Sequence, residues 1–278
     1  MAKSRVTFQS TVPPWECDIV EHFTVSFYYE KLDHATAAAL LAAGLDPTDL
    51  HAPYMTRCQT RFAAELVKGD IYQIETVQLA PTRLGHRLIN SQTAQVCTHF
   101  DQTLSGSMAE LPGDGSGLTD AEWDGPEAAD ADVLAEGAQW LDTGRDMMTA
   151  GDCSLAGRLS SSACIRRYSA GGEHLRSRIG MTRVYTLDNR VGFSTFSFDF
   201  RLFGTASLGT ALITQSCVGK IGRSSLRIEH RLLRAQDGAE ISRLTQMGVH
   251  LDLDARRPSQ FPEHIASTAH SLLPRESS

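Results

Sequence analysis

The feature that most constrains this chain is internal repetition, because its two halves carry the same punctuation at similar spacings. The first half runs ten positions from residue 12 to 22 and ends Glu21-His22-Phe23; the second runs ten positions from 164 to 174 and ends Glu173-His174-Leu175. Gly69 and Gly209 each open a β-like run, Arg83 and Arg223 each follow fourteen residues later, and His-Arg-Leu occurs at His86 and again at His230. Repeated offsets mark a duplicated unit that packs against its own copy. A chain of 278 residues has room for two domains of roughly 100 to 130 residues, each with its own core. In this register position 18 is Asp in the first copy and Ala170 in the second, so the N-terminal copy is expected to keep the carboxylate chemistry.

Within the first copy, Val6 and Phe8 alternate as in a strand, and Pro13-Pro14 ends the ladder because proline has no N–H to donate. Tyr28, Leu32, Ala35, Ala39 and Ala42 recur at helical spacing, with Gly44 where a C-terminal cap belongs. After Gly69-Asp70 the run Ile71, Tyr72, Ile74, Val77 and Leu79 is rich in strand formers. The order strand, helix, several antiparallel strands predicts an α+β layer in which a sheet curls around one helix. Residues 113–156 read as a solvated linker, with helix allowed over 131–148 and Trp140 and Leu141 docking. The expected units are therefore 1–112, the catalytic candidate, and 157–278, a degenerate copy.

Composition removes whole classes of function. The net charge is −7, with no block of basic residues, so the chain lacks the stripe that phosphate neutralisation on nucleic acid requires. The longest apolar run, residues 37–43, is far below the roughly 20 residues needed to cross a bilayer, and no signal peptide is visible; a cytoplasmic protein with no membrane partner is expected. Six scattered cysteines without a CxxC pair fit reduced thiols and argue against structural zinc, and no metal site is expected.

The segment Trp15-Glu16-Cys17-Asp18-Ile19-Val20-Glu21-His22-Phe23-Thr24 places acids and an imidazole just before the predicted helix. Amides at a helix start are unpaired and partly positive, so they can hold a carbonyl oxygen as it becomes an oxyanion. Asp18 then activates water or attacks directly, His22 orients it, and Thr24 either caps the helix or holds the water. Glu21 is the reserve base, and Cys17 reads as a small packed side chain. Arg57, Arg61, Lys68 and Arg83 are the candidate partners for phosphate groups.

At these residues the sequence resembles the hotdog-fold acyl-CoA thioesterases of the 4-hydroxybenzoyl-CoA thioesterase type. Asp18 matches that family's catalytic acid, His22 the turn histidine, Thr24 its Asn/Thr position and Tyr28 the helix aromatic. The run is similar to thioesterases linked to carnitine and betaine metabolism, whose motif reads Glu-Trp-x-Asp-x-Asn-Gly-His-Met-Thr; here Glu-Trp is inverted to Trp15-Glu16, and Asn-Gly is Val20-Glu21. The resemblance implies a double hotdog: two five-stranded antiparallel sheets, each wrapping a helix and paired edge to edge as a pseudo-dimer that associates further into a homo-oligomer. It implies an acyl-CoA substrate, no cofactor beyond the CoA that the substrate carries, Asp18, His22 and Thr24 as the catalytic set, and Trp15, Tyr28, Arg57, Arg61 and Arg83 around the substrate. Two rivals share the fold: an enoyl-thioester hydratase, whose Asp-x-Asn-Pro-x-His motif is absent, and a silent acyl-CoA-binding domain.

Overall fold

The computed structural model describes residues 4–18, 21–115, 123–126 and 137–274. The first unit contains β1 (Ser4–Thr11), α1 (Val25–Ala42), β2 (Met55–Phe62), β3 (Ile71–Ala80), β4 (Arg83–Asn90) and β5 (Val96–Leu104). The second contains β6 (Leu141–Met147), α2 (Ser161–Arg178), α3 (Arg183–Asp188), β7 (Val191–Leu202), β8 (Ala211–Ile221), β9 (Ser225–Arg234), β10 (Glu240–Asp252), β11 (Arg257–Pro258) and α4 (Glu263–Ser271). All strands form one sheet in the order β1-β3-β4-β5-β2-β7-β10-β9-β8-β6, with β11 alongside β10. The seam is the antiparallel β2–β7 pair, centred on Gln59 opposite Asp199. Pairing β2 with β7 removes the two edges that separate units would expose. This is the expected double hotdog, five main strands to each unit.

α1 forms where the 3.6-residue spacing predicts. Tyr28, Tyr29, Leu32, Ala35, Ala39 and Leu40 are buried along it, a broad stripe because both the sheet and α2 enclose the helix. Gly44 ends it at φ +79°, with the Leu45 amide bonded back to the Leu40 carbonyl at 2.9 Å, the left-handed cap that glycine adopts without Cβ strain.

The duplication is real, but its register differs from the expected one. Residues 164–174 do not correspond to 12–22, because Glu173 and His174 lie inside α2. The true correspondence sets Cys17-Asp18 against Cys153-Ser154 and His22-Phe23-Thr24 against Arg158-Leu159-Ser160, 136 positions apart. Each turn is closed by the same bridge, Cys17 to Phe23 and Cys153 to Leu159, and α1 and α2 each run 18 residues. Asp18 therefore corresponds to Ser154, not Ala170. The expected linker is also shorter. Residues 141–147 form β6, antiparallel to β8, so a unit boundary at 157 would cut the second copy's turn away from its first strand; residues 131–136 lie outside the described residues. Trp123 and Asp124 pack back on the first sheet, Asp124 Oδ1 receiving bonds from Arg87 (2.8 Å) and His99 (3.0 Å).

Two buried polar devices occur once in each copy. Lys31 Nζ donates to Glu16 at 2.8 Å, and at the same places Arg167 pairs with Asp152 at 3.1 Å. Under each sheet lies a histidine: His86 bonds Thr76 at 2.8 Å and Gln102 at 2.9 Å, and His230 bonds Ser216 at 2.8 Å and Gln246 at 3.1 Å. The repeated His-Arg-Leu is thus a strand segment whose histidine is fully buried. Burial lowers His86 to about 4 and His230 to about 3, so both are neutral and each relays one fixed hydrogen-bond direction.

Candidate active site

Where the two copies meet, the pseudo-dimer forms two unequal clefts. The larger, about 840 Å³, runs between the Asp18–Thr24 turn of the first copy and α2, β7 and β10 of the second. The smaller consists of adjoining chambers of about 300 and 180 Å³ between the Ser154–Ser160 turn and the first copy's α1.

In the larger cleft the turn is held by three bonds. The Asp18 amide donates to the His22 carbonyl at 2.8 Å, the Glu21 amide to the Asp18 carbonyl at 3.1 Å, and the His22 amide to Asp18 Oδ1 at 2.9 Å. Glu21 sits at φ +64°, left-handed backbone of the kind glycine favours; in the second copy Gly157 takes that place at φ +72°. The second turn repeats the contacts, with Ser154 to Arg158 carbonyl at 2.7 Å and the Arg158 amide on Ser154 Oγ at 3.3 Å. A serine therefore suffices for the turn, and the charge of Asp18 is additional to it.

Asp18, His22, Thr24 and Tyr28 all line this cleft. His22 Nδ1 lies 3.4 Å from Glu65, whose other oxygen holds Arg256 at 2.5 Å. Thr24 occupies the N-cap position of α1 but makes no side-chain capping bond; the Phe27 amide returns to the Thr24 carbonyl at 2.9 Å, while the Val25 and Ser26 amides have no partner within the helix. Tyr28 is buried and its hydroxyl accepts from the Leu66 amide at 3.2 Å; burial pushes its ionisation well above the usual range. Cys17 points its thiol at the Pro13 carbonyl at 3.5 Å, and burial followed by the Asp18 charge raises its pKa, the opposite of an activated nucleophile. Glu21 is exposed and paired with Lys68.

The other expected substrate contacts lie elsewhere. Trp15 is 79% exposed and lines neither cleft. Arg57 and Arg61 alternate with Cys58 and Thr60, which face the helices, so they project from the opposite face of the sheet. There Arg57 binds Asp199 at 2.9–3.0 Å, Arg61 donates to the Asp124 carbonyl at 2.5 Å, and Arg83 pairs with Asp101. The cations that do line the larger cleft are Arg176, paired with Glu173 and lying over Phe193 at 4.9 Å, and Arg256. Nothing in their sequence context marks them, because α2 and the β10–β11 turn reach the cleft only through the pseudo-dimer. The buried histidine network also ends here: Gln246 accepts from His230 and donates to Thr195 Oγ1 at 2.7 Å.

The smaller cleft differs at the start of its helix. Ser160 caps α2, its Oγ accepting from the Ala163 amide at 3.2 Å, and Asp33 of α1 reaches across to accept from Ser161 Oγ at 2.7 Å and the Ser162 amide at 3.4 Å. Burial raises the Asp33 carboxyl to about 6 even against those hydrogen bonds, which favour the charged form. By the same 136-residue offset Asp33 corresponds to Ser169, which lines the larger cleft.

Residues 148–268 match the family model of the thioesterase-like superfamily. The second unit is thus similar to that superfamily, and the chain has the double hotdog fold. No curated protein matches its sequence, but solved hotdog structures superpose on nearly all of it. One from Lactobacillus plantarum, described as an oleoyl thioesterase, aligns with TM-score 0.64 at 9% identity, covering 94% of this chain and 96% of that one. An acyl-ACP thioesterase from Bacteroides thetaiotaomicron gives 0.59 at 9%, covering 88% and 98%. A 12:0-ACP thioesterase from Umbellularia californica gives 0.56 at 11%, covering 89% and 94%. At these identities the likeness is one of fold, extending over both units of this hotdog protein. Among the described residues no helix is long and apolar enough to cross a membrane.

Proposed function

We propose that the chain hydrolyses an acyl-CoA thioester in the larger cleft. The observation that carries this reading is the start of α1: its first amides open on a cleft that also holds Asp18, whereas the equivalent amides of α2 already face the Asp33 carboxylate. A thioester carbonyl placed at the Val25 amide gains a donor where negative charge develops. Asp18 takes a proton from water as the water oxygen bonds the carbonyl carbon; collapse of the adduct breaks the C–S bond, and the thiolate recovers the proton. The His22 amide holds Asp18 in place. Tyr28, Phe62 and Phe193 supply an apolar wall for the acyl group, and Arg176 and Arg256 supply positive charge for the anionic CoA.

Free-thiol release from a panel of acyl-CoAs tests it, run on wild type, Asp18→Asn and Asp18→Ser. Because Ser154 forms the same turn, Asp18→Ser should melt like wild type while losing at least about a hundredfold in turnover, the scale of a lost general base. Unchanged turnover in both variants would remove Asp18 from the chemistry. A wild type that frees no thiol from any acyl-CoA, yet binds them, would replace hydrolysis with simple binding.

A further inference from the structure

The buried histidine relay closes inside the first copy and opens into a cleft in the second. In the first, His86 joins Thr76 to Gln102, and Thr36 of α1 sets its Oγ1 3.0 Å from Gln102 Oε1. The residue 136 positions after Thr36 is Gly172, so at that place α2 brings no hydroxyl to Gln246. A Cβ added there would stand 3.1 Å from Arg176 Nη1 and 3.6 Å from Gln246 Oε1. Gln246 turns instead to Thr195 on β7, donating to its Oγ1 at 2.7 Å, and both residues line the larger cleft. We propose that Thr195 is a specificity-determining donor, whose hydroxyl selects acyl groups that carry a second oxygen, keto or hydroxyl, along their chain. This rests on the thioesterase reading of the larger cleft.

The relay sets the direction of that hydroxyl. Burial lowers His230 to about 3, so the ring is neutral and has one N–H to give. Nε2 gives it to Gln246 Oε1 at 3.1 Å, and Nδ1 accepts from Ser216 Oγ at 2.8 Å. With its oxygen committed to His230, Gln246 presents its N–H to Thr195. Thr195 Oγ1 accepts there, and its single hydrogen points away from Gln246. Among the described residues Gln246 is its one hydrogen-bond partner, which leaves that hydrogen for an acceptor in the cleft.

The wall around this donor is apolar. Thr195 and Phe193 stand two residues apart on β7 and share one face of the strand. Gly248 lies opposite Thr195 across the ladder, and a Cβ added to it would run into the Phe193 ring, so the ring covers the glycine beside the hydroxyl. Phe193 belongs to the apolar wall that receives the acyl group, which puts the donor on the acyl side of the cleft rather than along the CoA arm. A plain alkyl chain laid on this wall strips water from the hydroxyl and returns no hydrogen bond, which costs free energy. A keto or hydroxyl oxygen at that point accepts the bond and removes the cost.

The test compares octanoyl-CoA with its 3-oxo, 5-oxo and 7-oxo counterparts. Binding is titrated calorimetrically in an Asp18→Asn background and thiol release is followed with Asp18 intact, each for the wild-type residue at 195, Thr195→Val and Thr195→Ser. Expected is at least one oxo ester preferred over octanoyl by roughly tenfold in both Kd and kcat/KM, the scale of one net hydrogen bond. Thr195→Val, which keeps the shape and loses the hydroxyl, should bring that ratio to about one, and Thr195→Ser should retain it. Should Thr195→Val not fold, Thr195→Ala carries the same comparison. No oxo ester preferred would overturn the proposal. So would a ratio that survives Thr195→Val, including equal losses for every ester, which would place the hydroxyl on the CoA arm. A preference in binding without thiol release would strike the hydrolysis reading and leave the Thr195 assignment standing; thiol release without preference would do the reverse.

Discussion

The two clefts share a turn, a helix start and a buried histidine, yet they differ in where their aspartate stands. On the larger side the turn carries it and the helix amides stay open; on the smaller side the opposite helix carries it, and the carboxylate lies against those amides. The difference separates what the scaffold requires from what chemistry requires. Contacts present in both copies, such as the Cys17–Phe23 and Cys153–Leu159 bridges and the Glu16–Lys31 and Asp152–Arg167 pairs, belong to the fold. Contacts present in one, Asp18 above all, are free to serve substrate.

The sharpest way to break that division is to remove a shared device from one copy. Lys31 and Glu16 are both buried, at 7% and 8% exposure, and Glu16 Oε2 has no partner. Lys31→Met should destabilise by about 3–5 kcal/mol in urea unfolding, the usual result of leaving one buried charge uncompensated. Arg167→Met should cost less, because Arg166 still holds Asp152 at 2.7 Å. Equal losses would mean that Arg166 does not compensate Asp152 when Arg167 is removed.

The paired histidines give the next effect. A histidine whose folded pKa lies below its unfolded value binds more protons unfolded, so stability is lost as pH falls below about 6.5. With His86 at about 4 and His230 at about 3, each should remove about 3 kcal/mol between pH 6.5 and 4, at roughly 1.4 kcal/mol per unit. Asp33 runs the other way, since its raised folded value makes protonation favour the native state. Urea midpoints against pH for wild type, His86→Gln and His230→Gln isolate the histidine part. Each variant should show a shallower acid loss than wild type, and parallel curves would contradict the buried neutral assignment.

These devices also mark the limit of reading the chain alone. The helix from Tyr28 to its Gly44 cap and the α+β order are legible, because periodicity and glycine are local signals. The motif at Asp18, His22, Thr24 and Tyr28 marks a segment that the structure does place in one cleft. The repeat was visible but misregistered: Glu21-His22 and Glu173-His174 match as letters, while the true partner of His22 is Arg158. Only the position in β–turn–α identifies it. Asp33, Gln102 and Gln246 were invisible for a different reason. Each stands among other polar residues with nothing local to single it out, and it acquires meaning only when the fold closes around it. Arg57, Arg61 and Arg83 misled because strand alternation sends them to the far face, where acids meet them.

The smallest predicted effect probes the turns themselves. Glu21 and Gly157 hold equivalent left-handed backbone, φ +64° and +72°, and an L side chain there costs about 1–2 kcal/mol. Gly157→Ala should therefore lower stability by about that amount, since nothing lies within 4 Å of its added Cβ and strain alone is felt. Glu21→Gly relieves the same strain but gives up the exposed pair with Lys68, a contact of roughly 0–1 kcal/mol, so it should raise stability by less than Gly157→Ala lowers it. Thermal melts of both variants decide the matter. If Gly157→Ala is neutral, the second turn is free to relax where the first is held, and the clefts differ in rigidity as well as in charge.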